Sequence, residues 1–270
     1  MKRRWIITGG RWGVGVLVVA VVTLGCSTVG ETGRRQLRLV PESQELQLGL
    51  TAFDEMKKEV PVSKDAAANA MLQRVGKRIA SVANLPNAQW EFVLFESKEI
   101  NAFCLPGGKV GVYTGILPVT KNEEGLATVI GHEVAHASAH HGAERMSEAM
   151  ILQAGGQAVG AAVTAAGKDK WQTAATTVYG LGAQLGRELP HSRLQESEAD
   201  QIGLSYMARA GYDPKEAVAF WQRFAELNRQ SGDGSPWFLR THPLDQTRID
   251  QIQKWLPEAD KEFRKAKPAS

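Results

Sequence analysis

Cysteine is what this sequence has least of: its 270 residues contain two, Cys26 and Cys104. If Cys26 is consumed in an anchor, no intrachain disulfide can form and stability has to come from packing. A surplus of one charge is also missing. The formal net charge is +3, but Lys2, Arg3, Arg4 and Arg11 sit in an N-terminal leader, and without them 28 basic residues face 29 acidic ones. That balance gives no support to nucleic acid binding. No internal repeat is present, and no apolar run is a comfortable membrane span. The longest, Val14 to Leu24, falls short of the about 20 residues required, although counting from Trp12 leaves an uncleaved anchor open.

With 43% apolar residues the chain can build one large domain or two small ones around a buried core. Residues 1–26 read as a signal peptide: a basic start, an apolar run and Gly25-Cys26 to close it. The closing cysteine resembles the acylated Cys of bacterial lipoproteins, so Cys26 is the expected lipidation site and membrane tie. Ser27 after it is the kind of residue that implies outer-membrane sorting. Residues 27–41, with Gly30, Gly33, Arg34, Arg35 and Arg38, read as a tether, residues 42–258 as the folded domain and 259–270 as a tail.

Within the domain, periodicity predicts helices from Glu42 to Phe53 and from Lys64 to Ala83. Short strands follow at Trp90 to Phe95, Asn101 to Cys104 and Lys109 to Thr114. Leu105-Pro106-Gly107-Gly108 makes the last two a hairpin. One helix is expected from Asn122 to Met146, with Glu123 and Glu124 in its first turn. The Ala/Gly-rich stretch from Ala149 to Gly186 fits two loosely packed helices or a mobile lid. A helix capped by Ser192, with Gln195 three residues on, runs to Ala210. Two more cover Lys215 to Asn228 and Leu244 to Trp255. The fold class expected is α+β, mostly helical, with a small antiparallel sheet.

The chemistry centres on His132-Glu133-Val134-Ala135-His136. On a helix the two imidazoles stand about 40° apart around the axis and roughly 6 Å along it, so both can meet one metal ion. Glu133 lies about 60° from His136 and would reach a water on that ion without ligating it. A catalytic zinc wants three protein ligands and an open position. A third histidine six residues after His136, with glycine between, would mark another protease class, but those positions hold Gly142 and Ala139. Arg193-Leu194-Gln195-Glu196-Ser197-Glu198-Ala199-Asp200 offers a carboxylate instead. Glu196 and Asp200 share a helical face with Arg193 nearby, and Glu198 points about 200° away from Glu196. Zn²⁺ on Glu196, with Asp200 accepting the free N–H of a histidine, would relieve the repulsion between the two carboxylates. A solvated acidic face is the alternative. His140 and His141, a turn further, have rotated away from the metal and suit packing better than ligation. His191 reads as a loop residue and Cys104 as a small buried one.

These motifs, together with Asn101 to Gly108 and with Thr241-His242-Pro243-Leu244 and Arg248, resemble the gluzincin metallopeptidases of peptidase family M48 over residues 42–255. The resemblance implies a zincin-like domain and a zinc-dependent endopeptidase with His132, His136 and Glu196 as ligands. It makes Glu133 the catalytic acid/base and implies a role for His242. That residue could stabilise an oxyanion, block the zinc, or only cap the turn before Pro243. The strand Lys109, Val110, Gly111, Val112 and Tyr113 could bind an extended substrate by strand addition, which favours unfolded or misfolded proteins. Ordinary sheet structure is the alternative for that strand. The expected setting is the bacterial cell envelope, on the periplasmic side, for a lipid-anchored quality-control protease. A latent or chaperone-like binding protein, its zinc blocked by His242, is the competing reading.

Overall fold

A computed structural model describes residues 25–184, 186, 189–230, 236–243 and 246–266. The signal-peptide expectation falls almost wholly outside these residues, as do Leu244 and the last four residues. No described helix is long and apolar enough to cross a membrane.

The described chain opens with a two-stranded antiparallel hairpin, β1 (Cys26–Thr28) and β2 (Arg35–Leu37). Residues 27–41 are therefore not the free tether that their glycines and arginines suggest. Val29 and Val40 are buried, and Arg34 reaches into the domain to pair with Glu144 and Glu198. Helix α1 (Glu42–Glu59) follows. Then α2 (Ala66–Ala80) begins where Asp65 accepts the Ala68 N–H at 3.0 Å and buries Leu72, Val75 and Ile79 as one face.

Strands β3 (Glu91–Phe95), β4 (Ala102–Leu105) and β5 (Lys109–Tyr113) form one sheet in the order β3-β5-β4. The expected hairpin is there: β4 and β5 are antiparallel. Gly107 and Gly108 turn the chain at φ 86° and 79°, a region that side chains avoid. Strand β3 joins β5 in parallel, so the sheet is mixed. This order corrects the substrate-strand expectation. Lys109, Val110, Gly111, Val112 and Tyr113 are all buried and paired on both sides, leaving no backbone donors for a further strand. Among the described residues β4 pairs only with β5 and lies against the central helix.

After a short helix α3 (Leu117–Thr120), that central helix, α4 (Glu123–Ser138), starts at Asn122, whose side chain accepts the Gly125 N–H at 2.8 Å. It is buried from Gly125 to Ser138. The single helix expected to Met146 is in fact broken. His140 adopts a left-handed conformation, φ 54°, and α5 (His141–Ala165) departs in a new direction. Helix α5 pairs with α6 (Gln172–Ala183), the two helices foreseen for the Ala/Gly-rich stretch, and the Tyr179 ring lies where a side chain at Gly155 would sit. Trp171, Val178 and Leu181 remain exposed.

Helix α7 (Leu189–Arg209) begins before Ser192, which is therefore inside the helix and not its cap. It lies against α4 at one close approach: a Cβ added to Gly203 would sit 2.8 Å from the His132 backbone nitrogen. Helix α8 (Lys215–Gln230) buries Ala217, Phe220, Trp221 and Phe224; α9 (Trp237–Thr241) leads to His242. Helix α10 (Gln246–Ala266) buries Arg248, Ile249, Ile252, Ala259 and Phe263, so residues 259–266 are packed helix and not a tail. The main core lies between these helices and the sheet. Phe53, Phe95 and Tyr113 form a second, aromatic cluster under α1.

Candidate metal centre

Four side chains from three parts of the chain converge at the middle of α4. His132 Nε2 and His136 Nε2 lie 3.2 Å apart. Glu196, from α7, places Oε2 3.3 Å from His132 Nε2 and Oε1 3.3 Å from His136 Nε2. His242 Nδ1 lies 3.2 Å from His132 Nε2 and 3.1 Å from Glu196 Oε2. All four donor atoms fall within 4.8 Å of one another, a set able to hold a metal ion. The Gly131–Gly203 approach explains why the helices come near enough. With no side chains between them, α7 brings Glu196 and Asp200 over His132 and His136.

Burial and neighbouring charges perturb the donors in different directions. Burial drives the His136 pKa well below its ordinary value, against the pull of Glu196. For His132 burial acts in the same direction, but Asp200 and Glu196 outweigh it and raise the pKa to about 9. Burial opposes charge on Glu196 as well; His136, with hydrogen bonds from His132 and His242, holds it far below the usual carboxylate range. Glu133 goes the other way, its pKa raised by burial. Its Oε1 has no hydrogen-bond partner among the described residues and lies 3.4 Å from His242 Nε2. A buried carboxylate oxygen without a hydrogen bond, beside the four donors, is where a group that passes protons would stand.

Asp200 Oδ1 lies 3.0 Å from His132 Nδ1, an ion-pair distance without hydrogen-bond geometry. Arg193 has no part in that contact, being exposed on the first turns of α7. Arg248 from α10 supports it instead. It donates two hydrogen bonds of 2.8 Å to Asp200 and one of 2.8 Å to the Pro243 carbonyl, and stands 3.2 Å from Glu196 Oε2. Its guanidinium covers the Trp221 ring at 4.5 Å, and Trp221 in turn stands edge-on to His132. Arg248 stands in the sequence six residues after His242, but only the docking of α10 shows what it touches.

On the far side of His136, its Nδ1 lies 2.8 Å from His141 Nδ1, and His141 Nε2 lies 2.9 Å from Glu198 Oε2. Arg34 and Thr32 both donate to Glu198. Glu198 does point away from Glu196, yet it is buried and engaged. His140 pairs with Glu45, and His191 with Glu148 at 3.0 Å, on α7 and not on a loop. Cys104 is half-buried, and burial pushes its thiol pKa up. Cys26 is exposed on β1.

Residues 66–256 match the profile of Peptidase family M48. Mitochondrial metalloendopeptidase OMA1 of Schizosaccharomyces pombe is 40% identical over 70% of this chain and 53% of its own length. Metalloendopeptidase OMA1, mitochondrial, of Danio rerio is 31% identical over 96% of this chain and 56% of its own. The Beta-barrel assembly-enhancing protease of Escherichia coli strain K12 is 26% identical over 93% and 55%. The chain thus spans about half the length of these curated relatives. All four converging donors, with Glu133, Asp200 and Arg248, lie inside the matched region, and Arg34 lies outside it.

Proposed function

The chain belongs to peptidase family M48, and from that premise we propose that it is a zinc-dependent endopeptidase acting on unfolded or misfolded proteins of the bacterial envelope. The observation that carries the reading is donor spacing. Zinc bonds of about 2.0–2.2 Å in a tetrahedron put ligand atoms roughly 3.3–3.6 Å apart. Five separations among the His132, His136, Glu196 and His242 donors, counting either oxygen of Glu196, are 3.1 to 3.3 Å, and one atom from each residue can be taken so that all four lie within 4.8 Å of one another. The arrangement therefore fits zinc, with His132, His136 and Glu196 as protein ligands. Zinc bound there would supply the Lewis acidity that polarises both a water and a scissile carbonyl.

The chain's own residues do the rest. Glu133 takes a proton from the attacking water on its buried carboxylate, holds it there because burial favours the neutral form, and returns it to the leaving amine nitrogen. Asp200 and Arg248 hold the His132 ring. An extended peptide adds to the edge of β4 that the described residues leave open, beside α4, by backbone hydrogen bonds that read no particular sequence. That mode suits unfolded chains better than folded ones.

His242 favours a latent resting form of the same enzyme. Its Nδ1 stands at ligand distance, in the place that substrate and water need, and its ring lies 4.6 Å from that of Phe238. Activity then requires the segment after α9 to swing away. The leader layout around Cys26 supports an envelope location, and so does the likeness to a bacterial Beta-barrel assembly-enhancing protease. The test is cleavage of unfolded casein by purified protein containing about one zinc per chain. Glu133→Gln should keep the metal and lose about 10²–10⁴-fold in activity. Undiminished cleavage by that variant refutes the assignment.

A further inference from the structure

We infer that His141, held by Glu198 and Arg34, is a positioning residue for His136, and that the N-terminal hairpin is thereby part of the support of the metal centre. The inference rests on the reading of His136 as a ligand, and it concerns residues to which that reading assigns no role.

A histidine can offer its Nε2 lone pair to a metal only when its proton is on Nδ1. His136 faces the other donors with Nε2, so Nδ1 carries the hydrogen, and the acceptor set against it is His141 Nδ1 at 2.8 Å. His141 must then hold its own proton on Nε2, which donates to Glu198 Oε2 at 2.9 Å. One tautomer of each ring satisfies the whole chain. The ring planes stand at 76° to each other with their centroids 4.8 Å apart. The two histidines are thus supported unequally: His132 meets the carboxylate of Asp200 directly, His136 meets one through a second imidazole.

The backbone is bent to make this contact. In an unbroken helix His141 would stand about 140° around the axis from His136. The left-handed turn at His140 ends α4 and brings the next residue back onto it. His141 is wholly buried, with both ring nitrogens engaged. Glu198 is fixed in turn by Thr32 and by Arg34 Nε at 2.7 Å, and the same guanidinium forks onto Glu144 with two bonds of 2.8 Å. The route from the hairpin to the ligand therefore runs Arg34, Glu198, His141, His136. A pair of buried charges that only neutralised each other would not need an imidazole aimed at a second imidazole.

The test measures metal binding by the full-length protein through chelator competition with zinc, and through the visible absorption of the cobalt-substituted form, which reports ligand geometry. His141→Phe, which keeps the ring and removes both nitrogens, should weaken zinc about 10–100-fold and shift the cobalt bands. Arg34→Gln, remote from the metal, should move both in the same direction by a smaller factor, while Arg34→Lys restores part of the loss. If His141→Phe does not fold, Glu198→Gln is read in the same way. Zinc affinity within twofold of wild type with an unchanged cobalt spectrum overturns the inference, and so does a wild type that takes up neither metal. A wild type that binds zinc but cleaves nothing refutes the peptidase reading alone.

Discussion

Gly203→Ala isolates the contact that brings together the two helices carrying the candidate ligands. The added methyl would lie 2.8 Å from the Gly131 carbonyl carbon and the His132 nitrogen, where ordinary contact begins at 3.4 Å. Those atoms are backbone in the middle of a buried helix and cannot rotate aside, so α4 and α7 must part by about 0.6 Å. Overpacking of this kind costs about 1–3 kcal/mol. In a domain of this size each kcal/mol lowers the melting temperature by about 2–4 °C. The separation falls directly on donors that are 3.3 Å apart across the same two helices, from Glu196 to His132 and His136. Zinc affinity should therefore drop about tenfold or more in a protein that still folds. Urea unfolding of the metal-free form and chelator competition give the two numbers separately. A Gly203→Ala protein with wild-type stability and wild-type zinc affinity refutes the claim that this approach sets the geometry.

His242→Ala should raise kcat/KM about tenfold or more with zinc retained, because a latch only about 1.4 kcal/mol more stable than the open form hides roughly nine tenths of the activity; a loss of activity with metal still bound would make His242 a participant in catalysis. Arg248→Met leaves Glu196 and Asp200 buried without their cation and should destabilise the metal-free fold by about 3–5 kcal/mol in urea, whereas a change below about 1 kcal/mol shows that the guanidinium is dispensable. Burial alone would raise the Glu198 pKa, but hydrogen bonds from His141, Thr32 and Arg34 lower it from 4.5 to about 2 in the folded protein. Its contribution to stability is then complete above pH 4.5 and lost as pH falls towards 2, and the acid limb of an unfolding profile should flatten in Glu198→Gln.

The histidine pair and Glu196 are legible in the sequence because each ligand set lies within one or two helical turns, where spacing fixes direction. His141 is not, because its direction depends on His140, a left-handed residue that neither glycine nor proline announces. Sequence proximity to Glu196 favours Arg193 over Arg248; contact through α10 is not a local property. Composition reveals β5 as a strand but not its place in the order, and β3 crosses to cover its second edge, so its suitability for substrate is lost only in three dimensions. The hairpin before α1 reads as linker since polar and glycine-rich residues dominate it. Its anchoring is carried by Val29, Val40 and a guanidinium whose partner is 164 residues away.

That last separation bears on how the molecule matures. A chain leaving the ribosome, or threading through a translocon, presents residue 34 long before residue 198 exists, and loops of this length close late because their entropy must be lost before any contact rewards it. The early hairpin meets its first carboxylate, Glu144, only after α5 has been made, and Glu198 only after α7 has been made and docked. If this centre binds zinc as proposed, metal capture is then a late event in biogenesis.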